Sequence, residues 1–282
     1  MRARTAELPR TLRAAAKARQ MLGVRGTRAV YRSAMARPLR RLLSASAPEG
    51  AALTEICGGA VRGALMYIDL SCEKYYWLGT HEEAVQRALE TQAGAGEVAY
   101  DIGAHAGFFT LLLSRVVGEE GRVLAFEPHP ANAARLSRNL DANSCTNAQV
   151  RVVALSDRTG EARFDAHASS LEGSLLGAAA SPDATMIVPT TTIDAVVRDG
   201  ATPPDLLKID VEGAEGRVIR GARETITVHR PRMIIEIHSA LAWREVLDAL
   251  PISYDFRDIE ETAHDPALLV PGHYLGIPAD GR

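Results

Sequence analysis

The sequence has few cysteines, and they are far apart. Cys57, Cys72 and Cys145 are the only three among 282 residues, and their spacing contains no Cys-x-x-Cys pair. A zinc ribbon, a dithiol redox motif and a disulfide framework are therefore excluded, and a reducing compartment is expected. Hydrophobic residues make up 46% of the chain, which is enough for one sizeable core, so the composition indicates an ordinary globular protein.

Long hydrophobic runs are also absent. No run approaches the roughly 18 apolar residues of a membrane span, and the N-terminus lacks the apolar core of about 7–15 residues found in secretory signals. The arginine-rich start resembles a mitochondrial transit peptide in composition, although basic amphipathic helices share that composition. We therefore predict a cytoplasmic protein with no membrane span.

Acidic residues are scarce at the N-terminus. Residues 1–48 contain twelve of the 32 Lys and Arg residues but only one of the 35 acids, so the remainder carries fourteen more acids than bases. An acidic body disfavours nucleic acid as a partner. Apolar residues at helical spacing predict a basic helical extension over 1–50, which packs on the body or forms a homodimer contact, with membrane-surface binding or substrate capping as alternatives. The main domain is predicted over 51–282.

Strand-like and helix-like segments alternate from residue 97 onward. Predicted strands are Val98–Ile102, Val123–Phe126, Val150–Leu155, Leu206–Ile209 and Met233–Ile237, and predicted helices begin near Ala106 and Ala131, run from Ala214 to Val228, and cover Leu241–Leu250. This alternation indicates a doubly wound α/β fold with a parallel sheet. Residues 160–193 do not follow this alternation of strands and helices, and contain the strand candidates Ala162–Phe164 and Met186–Val188. We therefore predict that they form an insertion near the site.

A glycine-containing loop, Asp101-Ile-Gly-Ala-His-Ala-Gly107, lies where the first of these strands meets a helix. Open parallel sheets bind ligands at such turns. Gly103 allows the tight turn, Gly107 would let a ligand approach the backbone, and the helix N-terminus offers unpaired N–H groups. The dinucleotide fingerprint G-x-G-x-x-G is absent, and Asp101 would repel a pyrophosphate but could pair with an ammonium group. The loop, including His105, therefore predicts an S-adenosylmethionine site rather than a nicotinamide site.

Acids and hydroxyls follow the next strands as well. Glu127 lies 26 residues after Asp101, where a carboxylate can accept hydrogen bonds from both ribose hydroxyls, and Pro128 ends the strand. Ser156 and Asp157 come after the third strand and are predicted to border the adenine, with a simple Asx turn as the alternative.

A second polar group follows the last two predicted strands. Asp210, Glu212 and Glu215 come after an apolar strand, and Glu236 and His238 alternate at the end of the next one, so the latter two share a face. We predict a catalytic group of His238, Asp210 and Glu212, in which His238 removes a hydroxyl proton and Asp210 also borders the cofactor. Two alternatives stay open. The glutamates could cap a helix, or the group could hold a divalent cation, although the metal-free scheme is favoured.

Seven short stretches between about residues 55 and 240 form a family pattern. They are Tyr76-Trp-Leu-Gly-Thr-His-Glu82, Tyr100-Asp-Ile-Gly-Ala-His-Ala-Gly107, Phe126-Glu-Pro128, Val153-Ala-Leu-Ser-Asp157, Thr191-Thr-Ile-Asp194, Leu207-Lys-Ile-Asp-Val-Glu-Gly-Ala-Glu215 and Glu236-Ile-His238. On these stretches the chain resembles the FkbM family of methyltransferases. The resemblance implies a class I methyltransferase, Rossmann-like fold with seven strands, the last antiparallel and formed by Tyr274–Ile277. It also places Tyr76 and Glu82 over the methionine end of the cofactor.

The resemblance further implies transfer of a methyl group from S-adenosylmethionine, usually to a hydroxyl oxygen of a natural product or sugar. We therefore predict a small-molecule acceptor. N-methylation on the same fold and a non-catalytic cofactor-binding or scaffold protein are the alternatives. The sequence does not identify the acceptor, because the loops that would surround it cannot be paired from sequence.

Overall fold

The computed structural model describes residues 50–166, 173–175, 185–260 and 270–279, together with Ala14 and Lys17. Apart from these last two positions, which are helical, the predicted N-terminal extension lies outside the described residues. Within the described ranges the longest helix has 13 residues, and none has the length and apolarity to cross a bilayer.

The described residues form thirteen strands and eight helices. The strands are β1 (Ala51–Glu55), β2 (Leu65–Asp69), β3 (Val98–Ile102), β4 (Arg122–Phe126), β5 (Ala148–Arg151), β6 (Ala154–Leu155), β7 (Gly160–Ala166), β8 (Gly173–Leu175), β9 (Thr185–Thr191), β10 (Leu206–Ile209), β11 (Arg232–Ile237), β12 (Tyr254–Asp258) and β13 (Gly272–Pro278). The helices are α1 (Lys74–Leu78), α2 (Glu83–Gln92), α3 (Phe108–Val117), α4 (Pro130–Ala142), α5 (Ile193–Arg198), α6 (Glu215–Arg220), α7 (Arg223–His229) and α8 (Ala240–Ala249).

The main sheet has seven strands in the order β12-β13-β11-β10-β3-β4-β5. β13 runs antiparallel to both of its neighbours, and the other pairs are parallel. This is the Rossmann-like sheet of class I methyltransferases, so the predicted fold class is confirmed, including the assignment of Tyr274–Ile277 to the antiparallel strand.

The central strands are buried along their whole length and mostly apolar because helices cover both faces of the sheet, with Asp101 in β3 and Lys208 in β10 as charged exceptions. In β3, Ala99 packs into the core on one face and Tyr100 into the core on the other. Leu206 and Leu207 of β10 divide in the same way. Burial on both sides explains why these segments read as continuous apolar runs and not as alternating patterns.

Two predicted segments were wrong in their extent. The run Val150–Leu155 is not one strand: Val153 N–H donates to the Arg151 carbonyl, and β6 leaves β5 to pair with β9. The predicted helix from Ala214 to Val228 breaks at Gly221. A Cβ at Gly221 would lie 2.0 Å from the Ser156 carbonyl oxygen, so close packing there requires glycine. Asp194 then accepts hydrogen bonds from the first N–H groups of α7, which restarts the helix.

Residues 160–193 contribute strands to a second sheet of order β6-β9-β7-β8. Phe164 and Val188 pack with Ala154 in a small separate core. The middle of this stretch, 167–172 and 176–184, lies outside the described residues.

The site is set by how the carboxyl ends of the strands align. Ile102 pairs with both Phe126 and Ile209, so the residues that follow β3, β4 and β10 emerge at one level. The sheet order reverses between β3 and β10, which is where doubly wound sheets bind ligands. Ile209 pairs with Ile235, so β11 continues two residues beyond the end of β10.

Candidate active site

A cleft of about 640 Å³ opens at the carboxyl ends of β3, β4 and β10. Apolar walls come from residues after β5 and from the second sheet, chiefly Val153, Leu155 and Phe164, and acidic groups line the remainder. Of the predicted cofactor residues, those lining the cleft are Gly103, His105, Glu127, Pro128 and Asp210.

The two loop glycines serve different purposes. Gly103 has φ +80°, and a Cβ there would lie 1.7 Å from the Asp210 carbonyl oxygen, so glycine permits the loop to contact the end of β10. Gly107 has φ +88°, and its Cβ would lie 2.1 Å from Cδ1 of Leu136. Gly107 does not line the cleft, and the prediction that it admits a ligand is replaced by a packing role against α4.

Glu127 is held in place by backbone donors at the floor of the cleft. Its Oε2 accepts from the His105 N–H and its Oε1 from the His129 N–H, both at 2.8 Å. The side chain is almost fully buried, and burial raises its pKa to about 7, although these N–H groups and Asn132 favour the charged form. Each carboxylate oxygen has two lone pairs, so the group can still accept hydroxyl donors.

Asp101 lies beneath the cleft and not on its surface. It is fully buried, its Oδ2 accepts from the Thr110 hydroxyl at 2.6 Å, and its Oδ1 lies 3.8 Å from Nζ of Lys208. Burial raises the pKa of Asp101, and Lys208 opposes this rise. In the structure the charged partner of Asp101 is Lys208, and the pairing with a ligand ammonium stays a prediction.

His105, which is half-buried at the cleft, connects the loop to a network that includes Tyr76. The Tyr76 hydroxyl lies 3.1 Å from Nδ1 of His105, and Nη2 of Arg135 lies 3.5 Å from its Nε2. Arg135 in turn donates to both oxygens of Glu73, at 2.9 and 3.0 Å. Tyr76 is 5% exposed and stacks on Phe108, so it supports the loop from below.

Ser156 and Asp157 do not line the cleft. Ser156 is buried, its N–H donates to the Thr191 carbonyl, and its hydroxyl donates to Asp157 at 3.2 Å. Val153 and Leu155, the apolar residues just before them, border the cleft instead. The turn after β6 therefore places Ser156 and Asp157 outside the cleft lining, and their contact with the adenine stays a prediction.

His238 lies among four carboxylates beside the cleft. Its Nδ1 contacts Oε1 of Glu215 at 2.8 Å, and its Nε2 lies 3.1 Å from Glu212, 3.6 Å from Glu236 and 3.8 Å from Asp210. Burial alone would lower the pKa of His238, but Glu212, Glu215 and Glu236 raise it to about 11. The site therefore favours a positive charge at this ring.

A second histidine, which the sequence did not single out, adjoins this group. Nε2 of His273 lies 3.3 Å from Glu236 and 3.4 Å from Glu82, and its Nδ1 lies 3.3 Å from Glu260. Burial would lower the pKa of His273, but Glu236 and Glu82 raise it to about 10. Glu82, predicted as a cofactor residue, belongs to this group and not to the cleft lining. We call the six residues Glu82, Asp210, Glu212, Glu236, His238 and His273 the acid–histidine cluster.

Asp210 and Glu212 connect the cleft to the acid–histidine cluster. Both line the cleft, and both face Nε2 of His238. Nζ of Lys208 lies 3.1 Å from Oδ2 of Asp210; burial would raise the pKa of Asp210, but Lys208 and His238 lower it. A ligand in the cleft would therefore meet the cluster at these two carboxylates.

Comparison with known proteins identifies the family. Residues 101–264 match the profile described as the Methyltransferase FkbM domain, which is more than half of the chain. The chain belongs to the FkbM methyltransferase family. The matched segment contains the glycine loop, Glu127, Asp210, Glu212 and His238.

Two curated relatives are similar over part of their lengths. The hexuronic acid methyltransferase AglP of Haloferax volcanii is 29% identical over 170 residues, covering 60% of this chain and 67% of the relative. The 2-O-methyltransferase NoeI of Sinorhizobium fredii is 31% identical over 157 residues, covering 47% of this chain and 62% of the relative. A solved FkbM methyltransferase from Methylobacillus flagellatus has a TM-score of 0.44 and 19% identity, covering 72% of this chain and 54% of its own.

The sequence analysis of this FkbM methyltransferase did not single out His273, a member of the acid–histidine cluster, or Lys208, which adjoins it. Lys208 could have been noticed, because a lysine inside a strand buried on both faces needs a charged partner. His273 gave no comparable signal, since its position opposite Glu236 depends on the pairing of β11 with β13.

Proposed function

We propose that the protein is an S-adenosylmethionine-dependent O-methyltransferase that acts on a hydroxyl group of a sugar-like small molecule. The proposal rests on one observation: Asp210 and Glu212 both line the cleft and face His238. A cofactor in the cleft would thus present its methyl group beside carboxylates able to handle a hydroxyl. The names of the two curated relatives, a hexuronic acid methyltransferase and a 2-O-methyltransferase, support this class of acceptor.

The residues of the cleft fit the cofactor. Glu127 offers acceptors for ribose hydroxyls, Val153 and Leu155 offer apolar surface for the adenine, and Asp210 and Glu212 offer negative charge to the positively charged end. When bound, the cofactor supplies a methyl group activated by a positively charged sulfur.

We assign proton acceptance to Glu212. Its side chain is 37% exposed, so it can reach both the cleft and an acceptor, whereas Asp210 is engaged by Lys208 at 3.1 Å. His238 does not line the cleft, and its Nε2 faces the carboxylates. His238 therefore holds Glu212 in place, while Glu212 accepts the hydroxyl proton. This division differs from the scheme in which His238 is the base.

Glu127→Gln should weaken binding of S-adenosylmethionine by about 10- to 150-fold, because a neutral amide loses a charge-assisted acceptor for the ribose hydroxyls. Wild-type affinity should also rise from pH 6 to pH 8, since the pKa of Glu127 is about 7 and the ionised form accepts both hydroxyls. Isothermal titration calorimetry across this range measures both effects.

Glu245→Gln is the matched control, because Glu245 is a half-exposed glutamate on α8 whose ion pair with Arg220 lies apart from the cleft. Equal affinity for cofactor in the wild type and in Glu127→Gln, with the same pH profile, would remove Glu127 from the ribose site.

The acceptor class is tested by turnover. Purified protein with labelled S-adenosylmethionine is expected to methylate one or more free or glycosidic hexuronic acids or other sugars with a free 2-hydroxyl group, and the matching monodeoxy sugar should be inert. The product should be an ether that survives mild alkali. An alkali-labile methyl ester, or a preference for the amino sugar over its hydroxyl counterpart, would contradict O-methylation of a hydroxyl. The amino-sugar outcome would favour N-methylation. Cofactor binding without turnover of any acceptor would support the non-catalytic alternative.

A further inference from the structure

His238 and His273 have the same arrangement on either side of Glu236. Oε1 of Glu236 lies 3.6 Å from Nε2 of His238, and Oε2 lies 3.3 Å from Nε2 of His273. Glu236 and His273 are direct partners in the antiparallel pairing of β11 and β13, and His238 lies two residues beyond Glu236. A single carboxylate therefore separates two imidazole rings.

The far nitrogen of each ring is held by an outer carboxylate. Nδ1 of His238 contacts Glu215 at 2.8 Å, and Nδ1 of His273 contacts Glu260 at 3.3 Å. Glu215 is fully buried and cannot turn to solvent. A carboxylate at Nδ1 keeps the proton on that nitrogen, which is the outer-shell arrangement around metal-bound histidines. A cation at Nε2 would take the place of the second ring proton.

Nε2 of each histidine, the ring nitrogen nearer to Glu236, faces carboxylate oxygens. These contacts do not give every one of the facing atoms a well-aligned hydrogen bond. Nε2 of His273 and Oε2 of Glu82 are buried and lie 3.4 Å apart as an ion pair, and neither atom has a well-aligned hydrogen bond among the described residues. Buried polar atoms nearly always have one. A cation bound by both atoms would satisfy them.

The distances match ligands that share an ion. Ligand atoms about 2.1 Å from one ion and roughly 90–110° apart are separated by about 3.0–3.5 Å. Nε2 of His238 lies 3.6 Å from Glu236 and 3.8 Å from Asp210, and Nε2 of His273 lies 3.3 Å from Glu236 and 3.4 Å from Glu82. The ligand atoms of each three-residue set, Asp210–Glu236–His238 and Glu82–Glu236–His273, lie within 4.8 Å of one another.

We propose that Glu236 bridges two divalent cations, one held with His238 and Asp210, and the other with His273 and Glu82. Mixed imidazole and carboxylate ligands suit first-row ions such as Mn²⁺, Fe²⁺ or Zn²⁺. The three carboxylates would offset most of the charge of the two cations. A role of these two cations in binding and acidifying the acceptor hydroxyl rests on the proposed function. The binding of the cations does not.

The test is Mn²⁺ binding to the full chain without a histidine tag, after removal of metals with a chelator. Free Mn²⁺ is counted by electron paramagnetic resonance in the absence of cofactor and acceptor. We expect two bound Mn²⁺ per chain. Because the readout is metal alone, its failure leaves the methyl-transfer assay untouched, and failure of that assay leaves this count untouched.

Single-residue variants test which side chains bind each of the two cations. Glu236→Gln should weaken both by at least tenfold, and His273→Asn should remove one Mn²⁺ and leave the other. Glu260→Gln, at a side chain that is 46% exposed, should weaken one position by about 10- to 100-fold through loss of outer support. The controls Glu224→Gln and His229→Asn, at exposed residues of α7, should still bind two.

Three results would overturn the proposal. They are the absence of any Mn²⁺ bound more tightly than about 1 mM, a single bound Mn²⁺ in the wild type, and a count of two that persists unchanged in Glu236→Gln. The wild-type count does not depend on whether any variant folds.

Discussion

Gly103→Ala should lower the affinity for S-adenosylmethionine by at least about 100-fold, or roughly 2.7 kcal/mol. A methyl group at this position would lie 1.7 Å from the carbonyl oxygen of Asp210 and 2.9 Å from its carbonyl carbon. Both are backbone atoms, so neither can rotate away, and either the loop or the end of β10 must move. The cleft and the acid–histidine cluster meet at Asp210, so that movement disturbs both.

Gly96→Ala separates this clash from backbone strain. Gly96 has φ +82°, close to the +80° of Gly103, but a Cβ there meets nothing within 4 Å. Both variants carry the left-handed strain of about 1–2 kcal/mol, and Gly103→Ala alone carries an overpacking cost of about 1–3 kcal/mol. Calorimetry for the cofactor and chemical denaturation for stability measure the two parts. If Gly96→Ala and Gly103→Ala bind cofactor equally well, the loop is not part of the site.

Glu212→Gln should lower turnover by about 10²- to 10⁴-fold while cofactor affinity changes by less than about tenfold. The amide has nearly the shape of the carboxylate, so it can still contact His238, but it cannot accept the hydroxyl proton. Single-turnover rates at saturating cofactor measure the chemical step, and calorimetry measures binding.

The control for this second prediction is Glu245→Gln, which changes a glutamate of similar exposure away from the cleft and should keep full turnover. Full activity in Glu212→Gln together with a 10²- to 10⁴-fold loss in His238→Ala would contradict our assignment. In that case His238 would be the proton acceptor, as the first of the two sequence-based schemes holds.

Local patterns predicted much of the fold. The bounds of β3 and β10 agree with the predicted strands to the residue. Both strands are buried on both faces, so their sequences are mostly apolar and were easily recognised as strands. The two failures have one cause: the 150–155 run and the 214–228 helix are both interrupted by contacts with distant residues, Thr190–Thr191 in one case and Ser156 with Asp194 in the other. Local periodicity contains no information about such contacts.

Some features of the site could likewise be predicted from local sequence, and others could not. Strand ends could be read from sequence, so Glu127, Asp210, Glu212 and His238 were expected at one rim, and the structure brings them there. How far each side chain lies from the surface of the cleft could not be predicted from the sequence. Asp101 lies beneath the surface with Lys208, and Ser156 turns away from the cleft, because the direction of a side chain at a strand end depends on the packing of neighbouring elements.

The class of fold, the position of the glycine loop and the rim of acids could be predicted from the chain alone, because each follows from a residue and its near neighbours. The packing of Gly107 against Leu136 and the position of Glu236 between two histidines depend on contacts that form in the folded chain. His273 is 37 residues beyond Glu236 and reaches it through antiparallel pairing with β11. The register of such a pairing is set by packing across the whole sheet, so the centre it creates exists only in the folded chain.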